Sequence, residues 1–147
     1  MNKLNDAYDE IVTLEGNVLA IETLMAELEA QVSELELTTF FPDANLRAAI
    51  REALNQLEGK IYSYELEIIT VLETPQSGIS DVRGLEYCIN LEVLDLGGNS
   101  IGGISALVAN RGLSAGNTVD LSGNPLNTAS ADVYIPLLEQ RGVTVIY

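Results

Sequence analysis

Leu91-Glu92-Val93-Leu94-Asp95-Leu96-Gly97-Gly98-Asn99-Ser100-Ile101 is the stretch on which the fold turns. Slid back by 22 residues, the pattern Leu91, Leu94, Asn99, Ile101, Ile104, Leu107 falls on Ile69, Leu72, Ser77, Ile79, Val82, Leu85. Slid forward by 25 residues, past a three-residue insertion, Leu94, Leu96, Asn99 and Ile101 fall on Val119, Leu121, Asn124 and Leu126. A period in the twenties marks a unit too small to bury its own apolar face, so copies must stack into a solenoid. Solenoids present extended surfaces to partners, and the expectation is therefore binding rather than catalysis.

Leucines at these offsets with an asparagine after the LxL identify a leucine-rich repeat. Side chains alternate faces along each strand, so Leu94 and Leu96 point inward. Val93 and Asp95 then lie on the concave face, with Glu92 and Gly97 beside them. The matching residues are Val71 and Glu73 in the first unit, flanked by Thr70 and Pro75, and Thr118 and Asp120 in the third, followed by Ser122. Val71, Glu73, Val93, Asp95, Thr118 and Asp120 are the candidate binding residues. Glu73, Asp95 and Asp120 are expected to stack as an acidic ladder, which either receives Lys or Arg side chains or a cation, or only keeps the face soluble. Asn99 and Asn124 are expected to serve the fold, by satisfying backbone groups inside the turns.

Ahead of the repeats, Asp43 is a good helix N-cap. Leu46, Ile50, Ala53 or Leu54, and Leu57 follow at helical spacing, and Glu58-Gly59 is expected to end that helix. A second short helix is expected from Ser63, burying Leu66 and Ile69. The run from Phe41-Pro42-Asp43 to Ala53-Leu54 resembles the helical N-cap of bacterial leucine-rich-repeat proteins of the internalin-like type. Gly78-Ile79-Ser80-Asp81-Val82 through Cys88 and Asn117-Thr118-Val119-Asp120-Leu121-Ser122-Gly123-Asn124-Pro125-Leu126 resemble their repeat connections and last repeat. Ile135-Pro136 through Tyr147 resembles their closing helix and strand. The resemblance covers residues 40–147 and implies a cell-surface or extracellular setting. Two features depart from it: only residues 91–112 approach a full consensus unit, and an acidic coil precedes the repeats.

That coil is a second periodicity. Ile11, Val18, Met25 and Val32 at a, with Leu14, Ile21, Leu28 and Leu35 at d, make a heptad seam that Leu4 and Ala7 extend. Largely β-branched residues at a with mostly Leu at d lean towards a parallel dimer, and a trimer stays open. Glu15, Glu22, Glu29 and Glu36 occupy e; Glu10, Asn17, Leu24 and Gln31 occupy g. Residues 1–37 hold nine acidic residues against one basic residue, Lys3. Three fates for the seam compete: a homomeric coil, a basic partner helix or larger assembly, and packing back on the chain's own solenoid.

Composition narrows the function. The formal net charge is −15 with only seven Lys and Arg, which argues against nucleic acid or an anionic membrane. No histidine is present, so Ser-His and Cys-His nucleophile pairs are impossible. The one cysteine, Cys88, cannot form an internal disulfide and reads as a buried, inert thiol. Gly97-Gly98-Asn99 lacks dinucleotide spacing, and no EF-hand loop occurs. No cofactor or metal is expected. No stretch is long and apolar enough to span a membrane, and the first residues lack a signal-peptide core.

The expected fold is thus α/β: a long heptad helix over residues 1–37, then a capped leucine-rich-repeat solenoid over 38–147 with parallel strands. The expected function is a non-catalytic protein-interaction or adhesion module, made a homo-oligomer by its helix. The alternative is a structural subunit of an envelope, fibre or filament.

Overall fold

The computed structural model describes residues 3–59 and 61–147, and for residues 30–40 only the course of the backbone. The chain divides into two compact units, residues 1–36 and 37–147.

The first unit is formed by the helix α1, Lys3–Phe40, whose last residues run on past residue 37 into the second. At 1.5 Å rise per residue it is roughly 57 Å long. Side chains from Lys3 to Glu29 are exposed throughout, including the seam. Thr13 and Thr23 turn their hydroxyls back onto the Asp9 and Leu19 carbonyls, one turn earlier, at 2.9 and 3.0 Å. Val32 and Leu35 belong to the seam read from sequence, but their side chains lie outside the described residues.

The second unit is built on a parallel sheet of four short strands: β1 Val71–Glu73, β2 Val93–Asp95, β3 Thr118–Asp120 and β4 Thr144–Ile146, in that spatial order. Leu72 pairs with Leu94, Leu94 with Val119, and Val119 with Val145. The first two pairings are the 22- and 25-residue shifts of the sequence repeat; the third is a 26-residue step to the closing strand. The central residues of β1, β2 and β3 are buried and their neighbours face outward. The core gathers Leu72, Ile79, Val82, Leu85, Leu91, Leu94, Leu96, Ile101, Ile104, Leu107, Val119 and Leu121. Phe41, Leu46, Ile50, Leu66 and Ile69 join it from the N-terminal side, and Ile135, Leu138 and Val143 from the C-terminal side.

Two helices precede the sheet. In α2, Ala44–Ala53, Leu46 and Ile50 are buried. The apolar spacing through Leu57 suggested a helix reaching Glu58-Gly59, but α2 stops at Ala53. Asn55 adopts a left-handed conformation (φ 52°). Its amide donates to the Glu52 carbonyl and the Gln56 amide to the Arg51 carbonyl, both at 2.9 Å. This pairing of an αL asparagine with 5→2 and 6→1 bonds is a Schellman stop. Leu57 is consequently left 86% exposed. The second helix, α3, is the single turn Ser63–Leu66, with Leu66 buried.

Asp43 does more than cap α2. Its Oδ1 accepts from the Asn45 and Leu46 amides at 2.9 and 3.0 Å. Its Oδ2 accepts from the Ser80 amide, the Ser80 hydroxyl and the Asp81 amide at 2.8, 2.9 and 3.2 Å. One carboxylate thus ties the helix start to a loop far along the chain. Burial pushes its pKa upward, but the bonds from Ser80, Leu46 and Asp81 outweigh that and hold it below the ordinary carboxylate value of 3.8. A depressed folded-state pKa contributes stability that is present above the unfolded value and lost as pH falls through the folded one. Asp43→Ala is therefore expected to cost about 2–4 kcal/mol at neutral pH, the sum of a lost cap and of charge-assisted bonds. In thermal melts the gap to the parent should narrow once the pH drops below the ordinary carboxylate value. A gap unchanged by acid would mean that the ionised carboxylate is not what holds the loop.

Between the strands the chain turns on asparagines. Asn99 Oδ1 accepts from the Ser77 and Ile79 amides at 2.9 and 3.0 Å. Its Nδ2 donates to the Thr74 and Leu96 carbonyls at 2.9 and 2.8 Å. Asn124 repeats the pattern one unit later: it accepts from the Ile101 amide at 3.0 Å and donates to the Leu96 and Leu121 carbonyls at 2.8 and 2.9 Å. A third, Asn110, is fully buried and was not singled out in the sequence. It donates to the Leu85 and Cys88 carbonyls at 2.7 and 3.0 Å and accepts from the Gly112 and Leu113 amides. Buried backbone groups left without partners are costly, and these side chains supply the partners that short strands do not.

The helix α4, Ser105–Ala109, follows β2. After β3 a helical stretch over residues 128–140 includes π geometry at Ser130–Tyr134 and ends in α5, Ile135–Gln140. Ser130, wholly buried, donates its hydroxyl to the Gly102 carbonyl at 2.8 Å.

Candidate binding face and helix seam

The strand register places the six candidate face residues in two rows. Val71, Val93 and Thr118 form one, continued by Thr144; Glu73, Asp95 and Asp120 form the other, continued by Ile146. Adjacent strands are roughly 4.8 Å apart, so neighbours within a row can contact one ligand together. Val71 and Val93 are 49% and 37% exposed and available to an apolar group. Glu73 is exposed, while Asp95, Thr118 and Asp120 are half-buried.

The acidic row is not uniform. Asp95 Oδ1 accepts from the Gly97 amide at 2.9 Å and Asp120 Oδ1 from the Ser122 amide at 2.8 Å. Each aspartate closes the turn that follows its own strand, as Asx turns do. Gly97 sits between them: a Cβ there would stand 3.2 Å from Asp95 Oδ1, 3.3 Å from Ser122 Oγ and 3.7 Å from Asp120 Oδ1. Glu73 makes no such bond among the described residues. The ladder therefore combines two carboxylates with structural work and one without.

Beside Glu73 the surface deepens into a groove of about 450 Å³ between α2 and the end of β1, lined by Asn45, Ala48, Ala49, Glu52, Glu73, Thr74, Pro75 and Ser77. Glu52 adds a carboxylate to this end of the face. The sequence periodicity could not show it, because α2 lies outside the repeat. Among the described residues no group of three or more His, Cys, Asp or Glu side chains is arranged to hold a metal ion. Cys88 is buried, and desolvation pushes its pKa up to about 12, so the thiol stays protonated and unreactive.

The second candidate surface is the seam of α1. Ile11, Leu14, Val18, Ile21, Met25 and Leu28 are between 53% and 61% exposed. Ile11, Leu14, Val18 and Leu19 join the stems of Glu15 and Glu22 in one continuous patch. No described helix is long and apolar enough to cross a membrane.

No protein-family model and no curated protein matches the chain. Solved structures do. Internalin C2 of Listeria monocytogenes superposes with a TM-score of 0.62 at 27% identity, over 74% of this chain and 46% of that one. An internalin of the same organism, InlF, gives 0.62 at 31% identity over 76% of this chain and 31% of that one. The functional domain of InlJ from L. monocytogenes, which includes a cysteine ladder, gives 0.60 at 23% identity over 75% and 22%, a likeness of fold alone. The chain spans less than half the length of each of these three structures.

Proposed function

Because this chain is an internalin-like leucine-rich-repeat protein, we propose that it is a non-catalytic protein-interaction or adhesion module at the cell surface or outside the cell. Its helix α1 serves for oligomerisation. The four-stranded sheet with its buried leucine row and its likeness to internalins support this reading. In it, α2 and α3 cover the first repeat and α5 with β4 closes the last, so residues 38–147 act as one capped solenoid, preceded in sequence by a coil of residues 1–37.

One observation carries the reading: an apolar row, Val71 and Val93, runs parallel to an acidic row, Glu73, Asp95 and Asp120, on one open face. A ligand fitting both rows carries apolar side chains beside Lys or Arg. A face of three short strands is small, and a second copy joined through α1 would raise avidity without adding contacts.

The test is a peptide-display selection on the immobilised full chain, repeated with Val71→Arg/Val93→Arg. Selected peptides are expected to pair apolar residues with Lys or Arg, and the double variant to lose them by at least tenfold. No enrichment, or enrichment indifferent to the two arginines, would overturn the assignment of this face. Large open-ended assemblies of the unliganded full chain would instead favour a structural subunit of a fibre or filament.

A further inference from the structure

We propose that the occupant of the α1 seam is a second copy of α1, parallel and in register, giving a two-stranded coil. The proposal rests on the reading that α1 drives association, and goes on to name the partner and its direction.

The columns flanking the seam carry the argument. One side presents Glu15, Glu22 and Glu29; the other presents Glu10, Asn17 and Leu24. In a parallel, in-register pair each residue of the second column faces the first-column residue five positions later on the other copy. Asn17 then meets the partner's Glu22, and Leu24 meets the partner's Glu29. Only Glu10, against the partner's Glu15, sets like charges together. An antiparallel pair turns each column onto itself, so Glu15, Glu22 and Glu29 confront the same three glutamates at every aligned register. The antiparallel arrangement is thus disfavoured along its whole length and the parallel one at a single position.

The same columns argue against a foreign basic helix. A helix shaped for one would gain from acid on both sides of the seam, yet Asn17 and Leu24 offer none. Four of the six described seam residues, Ile11 and Val18 at a with Leu14 and Leu28 at d, have the side-chain shapes that fit two strands; Met25 at a and Ile21 at d do not follow that pattern. These residues are uncovered in the single chain.

The experiment uses the full chain carrying Leu14→Cys or Leu28→Cys, under mild oxidation, with light scattering on each variant and on the parent. Buried Cys88 leaves the introduced thiol as the reactive one. A two-chain mass is expected, tightening as salt rises towards about 1 M, where the Debye length shrinks to about 3 Å and the glutamates cease to repel. Each variant is expected to cross-link with itself into a dimer on a non-reducing gel. A two-chain mass without self-cross-linking would overturn the parallel register while leaving association intact. A mass of three or more chains would overturn the two-stranded coil. A one-chain mass at every salt concentration would overturn this proposal together with the role given to α1, and would direct the search to a foreign helix or to the chain's own repeats.

Discussion

Gly112→Ala is expected to lower the melting temperature of the leucine-rich-repeat unit by about 10–20 °C, a loss of about 3 kcal/mol or more. The residue has no positive φ to protect. Its constraint is space: a Cβ at this position would overlap the carbonyl oxygen and carbon of Ile89 outright. Backbone cannot swing aside as a flexible side chain does, so one segment must move. Gly112 is also bonded through its amide to Asn110 Oδ1 at 2.8 Å, and Asn110 in turn holds the Leu85 and Cys88 carbonyls. Displacing residue 112 therefore strains a buried polar network as well. Gly103→Ala is the control. Its Cβ would meet Asn127 Nδ2 at 3.7 Å, an ordinary contact, and its effect should stay within about 0.5 kcal/mol. Equal melting temperatures for the two variants would show that the segment around Ile89 yields freely and that the close approach does not matter.

Asn99→Ala is the second substitution with a large expected effect, about 3–4 kcal/mol. The side chain is 6% exposed and makes four hydrogen bonds to backbone. Alanine leaves the Ser77 and Ile79 amides and the Thr74 carbonyl without that partner, at about 1–3 kcal/mol for each group kept from water. The Leu96 carbonyl retains its bond from Asn124. Asn124→Ala removes three bonds at a half-buried site, where water can substitute, and should cost less. Chemical denaturation of both variants gives the ranking. An Asn124 variant as unstable as the Asn99 variant would mean that burial does not set the cost.

The register of the sheet was legible because the repeat is arithmetic. Shifts of 22 and 25 residues in sequence became the pairing of Leu72, Leu94 and Val119. Asp43, Asn99 and Asn124 were legible as polar residues at positions where backbone needs partners. The end of α2 was not. Leu57 continues an apolar period, and only Asn55 entering the left-handed region stops it, a choice the period does not record. Asn110 carries a fainter signal: it stands 22 residues after Cys88, so a polar side chain occupies the position where the preceding unit buries a thiol. The constraint on Gly112 depends on where Ile89 passes, which only the folded chain shows. On the candidate face, strand alternation gave the two rows. That Asp95 and Asp120 each turn back on their own loops depends on side-chain geometry beyond any spacing, as does the entry of Glu52 beside Glu73.

The bridges made by Asn99 and Asn124 run in one direction along the chain. Asn99 serves Thr74, Ser77 and Ile79 behind it, and Asn124 serves Leu96 and Ile101 behind it. Ser77 stands at the corresponding place in the first unit, where no earlier repeat turn needs holding. A chain emerging from the ribosome therefore cannot close a turn until the next unit's asparagine has been made, more than 20 residues later for Ser77 and Ile101. The turns after β1 and β2 are each finished by the repeat that follows, and a chain cut between such a turn and the next unit's asparagine leaves that turn unsatisfied.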